Sequence, residues 1–169
     1  IDLNELVSIS NHFGEIDRQK AIDMGYECLP GDAWLEQPVE ILIPAALENQ
    51  ITSENVHRIN SKVKILAEAA NGPTSLEADE VLNERGVLII PDIIANAGGL
   101  TVSYFEQVQS NMNYYWQKDE VLGKLDVYIT SAYVNASDYA KRERLTMREA
   151  AYMIAVEKVA QACVDRGWV

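Results

Sequence analysis

Three short aliphatic runs govern what this chain can fold into: VEILI at residues 39–43, VKILA at 63–67 and VLII at 87–90. Each is rich in β-branched residues, too short for a helix, and of the length expected for a buried strand. Proline follows the first and third runs, at Pro44 and Pro91, where a missing N–H ends strand pairing. Helix signals fill the intervals. Thr52 is placed to cap a helix carrying Val56 and Ile59, with Glu54 in its first turn. Thr74 and Glu77 have the spacing of a capping box and open an amphipathic segment through Arg85, with Gly86 as its C-terminal stop. Strand, helix, strand, helix, strand implies βαβ units, hence an α/β fold with a parallel sheet and right-handed crossovers. Because the runs are apolar on both faces, helices are expected on both sides.

After Gly98 the pattern is helical. Val102, Phe105 and Val108 fall on one side of a helix, and residues 119–138 set Val121, Leu125, Tyr128, Ala132 and Ala136 along another. Thr146 and Glu149 form a second capping box, opening an alanine-rich helix that ends at Arg166 and Gly167. KRER at 141–144 reads as a solvated loop. Residues 1–40 carry weaker signals: a short helix over 17–24 and, after Gly25, a short strand over 27–29.

The length of 169 residues suits one domain. A net charge of −12 repels polyanions and argues against nucleic acid as a partner. No apolar run approaches a membrane span, and no signal-peptide pattern opens the chain. Cys28 and Cys163 lie far apart and read as reduced thiols of a cytoplasmic protein. His12 and His57 have no Cys or His at ligand spacing, so no metal site is expected, and no Ser-His-Asp triad either. The chain begins at Ile1 without an initiator methionine, as a processed product or a piece of a longer chain would.

In an open α/β sheet, ligands bind beyond the carboxyl ends of the strands. Here three strand exits converge there: PAALEN at 44–49, EAANGP at 68–73 and residues 92–103. Small residues at the first exit let a flat ligand approach the backbone. Asn71 and Asn96 each offer a carboxamide with donor and acceptor capacity, although asparagine also caps its own turns. Gly98 and Gly99 leave a helix start open to an anion, or serve a tight turn. Ser103, one helical turn on, is a hydroxyl available to a carboxylate, or a structural helix residue. There is no GxGxxG and no GxxxxGK[ST].

At these exits the sequence resembles a known family. ILIPAALENQIT (41–52), AEAANGPTSLEADEVLNERG (67–86) and IPDIIANAGGLTVSYFEQVQ (90–109) closely resemble the glutamate dehydrogenases, within the wider Glu/Leu/Phe/Val amino-acid dehydrogenases. The resemblance is strong over 39–169 and weak before that. It implies a partial Rossmann-like parallel sheet with flanking helices and a C-terminal helical segment. Residues 1–38 would be a poorly matched N-terminal part, 39–110 the βαβ core and 111–169 the C-terminal helices of a single truncated coenzyme domain. It implies oxidative deamination of an amino acid to a 2-oxo acid with NAD or NADP, in a homo-oligomer. Ala45 and Ala46 match a segment near the coenzyme, and Asn71 and Asn96 match asparagines holding the nicotinamide ribose and carboxamide region. Ser103 matches a serine contacting the substrate's side-chain carboxylate, and Leu100 lines the same pocket. The family commonly has glycine at the position of Ala69 and valine at that of Leu100.

The family's catalytic lysine and aspartate, its glycine-rich phosphate loop and its ribose-reading acidic residue precede the resembling region. Lys62, Lys64, Lys118 and Lys124 lack the context of a catalytic lysine, so no residue of this chain is assigned a catalytic role. FGEID at 13–17 has one glycine and is a poor cradle for pyrophosphate. The expectation is therefore a coenzyme-domain portion that does not turn over amino acids alone, the alternative being a non-catalytic binding or assembly module.

Overall fold

The computed structural model describes residues 2–168, which divide into two compact units with the boundary between Gln37 and Pro38. In the second unit the three aliphatic runs pair as a parallel sheet. β1 (Ile41–Leu42), β2 (Ile65–Ala67) and β3 (Leu88–Ile90) lie side by side in chain order. The register sets Ile41 beside Ile65 and Ile65 beside Leu88, and likewise aligns Leu42, Leu66 and Ile89. The period-two geometry of strands thus sorts the side chains into two rows. Leu42, Leu66 and Ile89 form a buried row, with Leu66 fully enclosed. Helices flank the sheet as expected, but they cover the other row only in part. Ile41 is 54% exposed and Leu88 38%. Cover on that row is local: Ile90, at the end of β3, packs against Ile94, Ala136, Met147 and Ala150.

The connection between β1 and β2 is where the sequence pattern misleads. Only a single 3-10 turn, Val56–Arg58, forms there instead of a helix capped by Thr52. Asn55 explains the difference. Its Oδ1 accepts the Thr52 N–H at 2.8 Å and its Nδ2 donates to the Gln50 carbonyl at 2.9 Å. Such short side-chain bonds compete with helical pairing. Val56 and Ile59 are buried all the same, at 3% each.

The second connection is helical, as α3 (Leu76–Glu84). Its cap is Ser75, whose side chain accepts the Ala78 N–H, rather than Thr74 one residue earlier. Thr74 is buried, and its Oγ1 has no hydrogen-bond partner. Gly86 follows the helix at φ 77°, the left-handed turn that ends it. After β3 come α4 (Asp92–Ala95), α5 (Gly98–Met112), α6 (Lys118–Glu143) and α7 (Met147–Asp165), defined here with α1 (Leu3–Ser8) and α2 (Arg18–Asp23) of the first unit.

The helical tail follows its sequence signals closely. Thr146 and Glu149 make the full reciprocal capping box of α7. Phe105 of α5 is buried and meets Trp116 and Tyr128 edge-on, with ring centres 5.8 and 5.6 Å away. The KRER segment, expected as a loop, is instead the end of α6: Lys141 and Arg142 lie in its last turn and Arg144 closes it at φ 59°. Cations there complement the negative end of the helix dipole.

In the first unit, α2 appears within the expected range, with Asp17 as its cap. Residues 27–29 form no strand. The Arg18 guanidinium instead occupies the carbonyls of Cys28 and Leu29, which a strand would need for pairing. Two bonds from backbone N–H groups hold the Asp17 carboxyl below its ordinary pKa, the one from Lys20 foremost. Its cap therefore stabilises α2 fully above the ordinary aspartate pKa and is lost as pH falls through the lowered one.

The orphaned Thr74 hydroxyl yields a direct test. Thr74→Val keeps the shape and removes an unpaired buried oxygen, so the urea midpoint is expected to hold or rise. Leu66→Ala, in contrast, is expected to lower stability by about 2–5 kcal/mol through loss of burial and a residual cavity. A fall in midpoint for Thr74→Val would mean that the hydroxyl has a partner in solution.

Candidate functional site

The carboxyl ends of all three strands open onto one edge, and backbone hydrogen bonds fasten their exits together. Pro44, after β1, accepts the N–H groups of Ala69 and Ala70 through its carbonyl, at 3.0 and 2.9 Å. The Gly72 carbonyl accepts the Asn49 N–H at 2.9 Å, and Pro73 accepts that of Ile51 at 2.8 Å. Gly72 has a φ of 52°, so the turn after β2 uses the left-handed region that glycine enters without penalty. Ala45 and Ala46 lie on the first exit and are exposed.

Asn71 and Asn96 come together as the sequence suggests. Asn96 Nδ2 donates to Asn71 Oδ1 at 2.7 Å across the second and third exits. The turn-capping alternative is thereby narrowed: Asn96 is the C-cap of α4, yet its carboxamide reaches another loop. Each amide still has capacity to spare, because a primary carboxamide carries two donors and a two-lone-pair acceptor. The pair thus offers Asn71 N–H groups and the Asn96 carbonyl to a ligand with complementary groups.

The glycine pair begins α5, and neither glycine has a positive φ, so a tight turn does not require them. A Cβ on Gly98 would meet Leu125 Cδ1 at 4.0 Å, an ordinary contact, and one on Gly99 would meet nothing within 4 Å. The space at Gly99 is open, whereas that at Gly98 faces α6. Gly99, Leu100 and Ser103 are spaced to share one side of α5; all three are exposed, Leu100 at 78%. A cavity of about 470 Å³ lies elsewhere, at the start of β3 among Val87, Lys141, Arg144 and Met147. None of the expected site residues lines it.

Beneath the edge lies a charge cluster that sequence reasoning missed. Arg148, in the first turn of α7, reaches Glu68 Oε1 at 2.8 Å and Asp79 Oδ1 at 2.6 Å through Nη2, and Nη1 lies 3.8 Å from Asp92 Oδ1. Glu68 is fully buried, Asp79 is buried and the Arg148 side chain is 12% exposed. Burial by itself would push the Arg148 guanidinium pKa down; the bonds and charges of Glu68 and Asp79 outweigh it and hold the group above its ordinary value. Asn83 Nδ2 donates to Asp79 Oδ2 at 2.7 Å, completing that carboxylate. The only sequence signal was an acid directly after an apolar strand, at Glu68, and its partner lies 80 positions away.

The first unit does not build a phosphate cradle at FGEID. Asn11 Oδ1 accepts the N–H groups of Phe13 and Glu15, and its carbonyl accepts that of Gly14. Three backbone donors of the segment, those of Phe13, Gly14 and Glu15, are thus engaged within the turn. Among the described residues no group of His, Cys, Asp and Glu is placed to hold a metal ion, and no helix is long and apolar enough to cross a membrane.

A parallel sheet whose strand exits converge on one edge is an open α/β architecture, in which ligands bind beyond the carboxyl ends of the strands. The chain belongs to the Glutamate/Leucine/Phenylalanine/Valine dehydrogenase family, whose model matches residues 1–167 and so includes the N-terminal segment. It is 42% identical over 169 residues to the cryptic catabolic NAD-specific glutamate dehydrogenase GudB of Bacillus subtilis, covering 100% of this chain and 38% of that protein. With the NAD-specific glutamate dehydrogenase of Staphylococcus aureus (strain COL) the identity is 39% over 180 residues, covering 97% and 43%. The chain therefore spans about two fifths of the length of these relatives. Among solved structures, glutamate dehydrogenase from Peptoniphilus asaccharolyticus matches with a TM-score of 0.69 and 45% identity over 75% of this chain and 32% of that one. The hetero-hexameric enzyme from Thermus thermophilus, in its Leu-bound form, shares the fold with a TM-score of 0.85 at 24% identity, over 98% and 38%.

The charge cluster predicts its own behaviour. Arg148→Met leaves Glu68 and Asp79 buried without a counter-charge and is expected to cost about 3–5 kcal/mol in urea unfolding. Adding Glu68→Gln and Asp79→Asn to that variant is expected to recover most of the loss. A triple variant as unstable as the single one would show that the guanidinium acts through packing alone.

Proposed function

We propose that this chain is a coenzyme-domain portion of an NAD(P)-dependent glutamate dehydrogenase-like oxidoreductase, and that it does not turn over amino acids by itself. The observation that carries this reading is the Asn71–Asn96 pair at the carboxyl edge of the sheet. Its remaining donors and acceptor suit the carboxamide and ribose hydroxyls at the nicotinamide end of a dinucleotide. The exposed alanines Ala45 and Ala46 leave room for a flat group beside them. The bound coenzyme would supply the hydride acceptor. The chain's part is to orient that end, while Leu100 and Ser103 on α5 would contact an amino acid or 2-oxo acid with an acidic side chain.

Two features support the absence of turnover. The N–H groups of Phe13, Gly14 and Glu15 in the FGEID turn are engaged by Asn11, which leaves a poor cradle for pyrophosphate there. Deamination requires a lysine of lowered pKa beside the substrate carbon, whereas Lys64 and Lys124 lie in surface ion pairs with Glu40 and Glu120.

A second reading, an assembly module, is favoured by exposed apolar side chains on α7. Met153, Val156 and Val159 are 53%, 65% and 65% exposed. A homo-oligomer is the form this reading takes, with β1 as an additional unpaired sheet edge.

The purified chain is expected to show no glutamate-dependent NAD reduction, and to bind nicotinamide mononucleotide more weakly after Asn71→Ala or Asn96→Ala, by about tenfold per lost hydrogen-bonding group. Binding is read by isothermal titration and assembly by light scattering. Equal affinity in wild type and both variants would remove the coenzyme reading; a monodisperse monomer would count against the assembly reading.

A further inference from the structure

We propose that Asp92 is the positioning residue of the carboxamide pair, holding both asparagine-bearing segments in register from one side chain and its own backbone. Its carboxylate Oδ2 accepts the Gly72 N–H at 2.8 Å, immediately after Asn71. Its carbonyl accepts the Asn96 N–H at 3.1 Å. Asp92 thus touches the chain beside each asparagine without touching either carboxamide. The two segments are 25 positions apart, and Asn71 is exposed. Its loop depends on backbone bonds for its placement.

Asp92 is itself fixed from below. Its N–H donates to Glu68 Oε2 at 2.9 Å, and Glu68 is fully buried and bonded to Arg148 through its other oxygen. Asp92 Oδ1 accepts the Ile93 N–H at 2.7 Å, and Arg148 Nη1 lies 3.8 Å from it. One carboxylate oxygen therefore serves α4 while the other reaches across to the Gly72 turn. The local bond to Ile93 alone would need only the first. The length of the side chain is the critical quantity: a glutamate would place its oxygens one methylene further out, where the Gly72 N–H already lies at full hydrogen-bond contact. The continuation of the Gly72 turn, through its carbonyl to Asn49, carries the same constraint to the exit that bears Ala45 and Ala46.

This inference rests on the coenzyme reading only for its purpose; the placement can be tested without any ligand. The side-chain amide signals of Asn71 and Asn96 are recorded by 15N–1H NMR on the 169-residue chain, together with Asp92→Ala, Asp92→Glu and Leu82→Ala. Leu82 is buried in α3 and is offered as a destabilising control away from the site. In wild type, Asn96 Nδ2 is expected to show the slowed exchange of a bonded amide. Both Asp92 variants are expected to lose that protection while Leu82→Ala keeps it in the folded population. Protection retained in both Asp92 variants, or lost equally in Leu82→Ala, would overturn the proposal. Titration with nicotinamide mononucleotide separates the two readings. If it shifts the wild-type amide signals, Asp92→Ala is expected to weaken binding about tenfold, and equal affinity would overturn the positioning role. No shift in wild type would sink the coenzyme reading, with the positioning decided by the amide exchange.

Discussion

Arg148 is the point on which the larger unit turns. A guanidinium in the first turn of α7 lies between carboxylates from the end of β2, from α3 and from the start of α4. Each of those carboxylates is costly to bury alone, and the guanidinium is costly to bury without them. The arrangement is therefore all-or-none: the helix that enters the sequence last must dock before the charges left by the earlier elements are neutralised. Fork geometry suits arginine to this, since one planar group can address several acceptors at once where lysine presents a single point charge.

From that cluster, order passes upward to the open edge of the sheet. Glu68 holds the start of α4, Asp92 holds the turn after Asn71, and Gly72 holds the exit of β1. The paired carboxamides thus stand on a buried ionic foundation although they lie at strand and helix exits. Loops bearing function are usually positioned by a rigid scaffold beneath them. Here the scaffold is a chain of charge-assisted bonds, stronger and more directional than aliphatic packing.

Much of this was legible in advance because it depends on local pattern. The aliphatic runs gave strands in the right order, the Thr146 box capped α7, and Gly86 ended α3, each through chemistry confined to a few neighbouring residues. The convergence of Asn71 and Asn96 followed from topology, since parallel strands bring their exits to one edge. Local reading failed where side chains compete with the backbone. Asn55 replaced a helix with a 3-10 turn, Arg18 occupied the carbonyls of an expected strand, and Ser75 displaced Thr74 as cap.

The sequence by itself determined the three strands of a parallel sheet, the helical tail and the residues at the carboxyl edge, because periodicity and caps act over a few residues. Only the tertiary structure decided that Glu68, Asp79, Asp92 and Arg148 share one buried site, since ion pairing depends on distance in space and leaves no period in the chain. It also decided which row of the sheet stays open and that Gly98 and Gly99 serve no turn. Those outcomes depend on what packs against a residue, and composition carries no record of that.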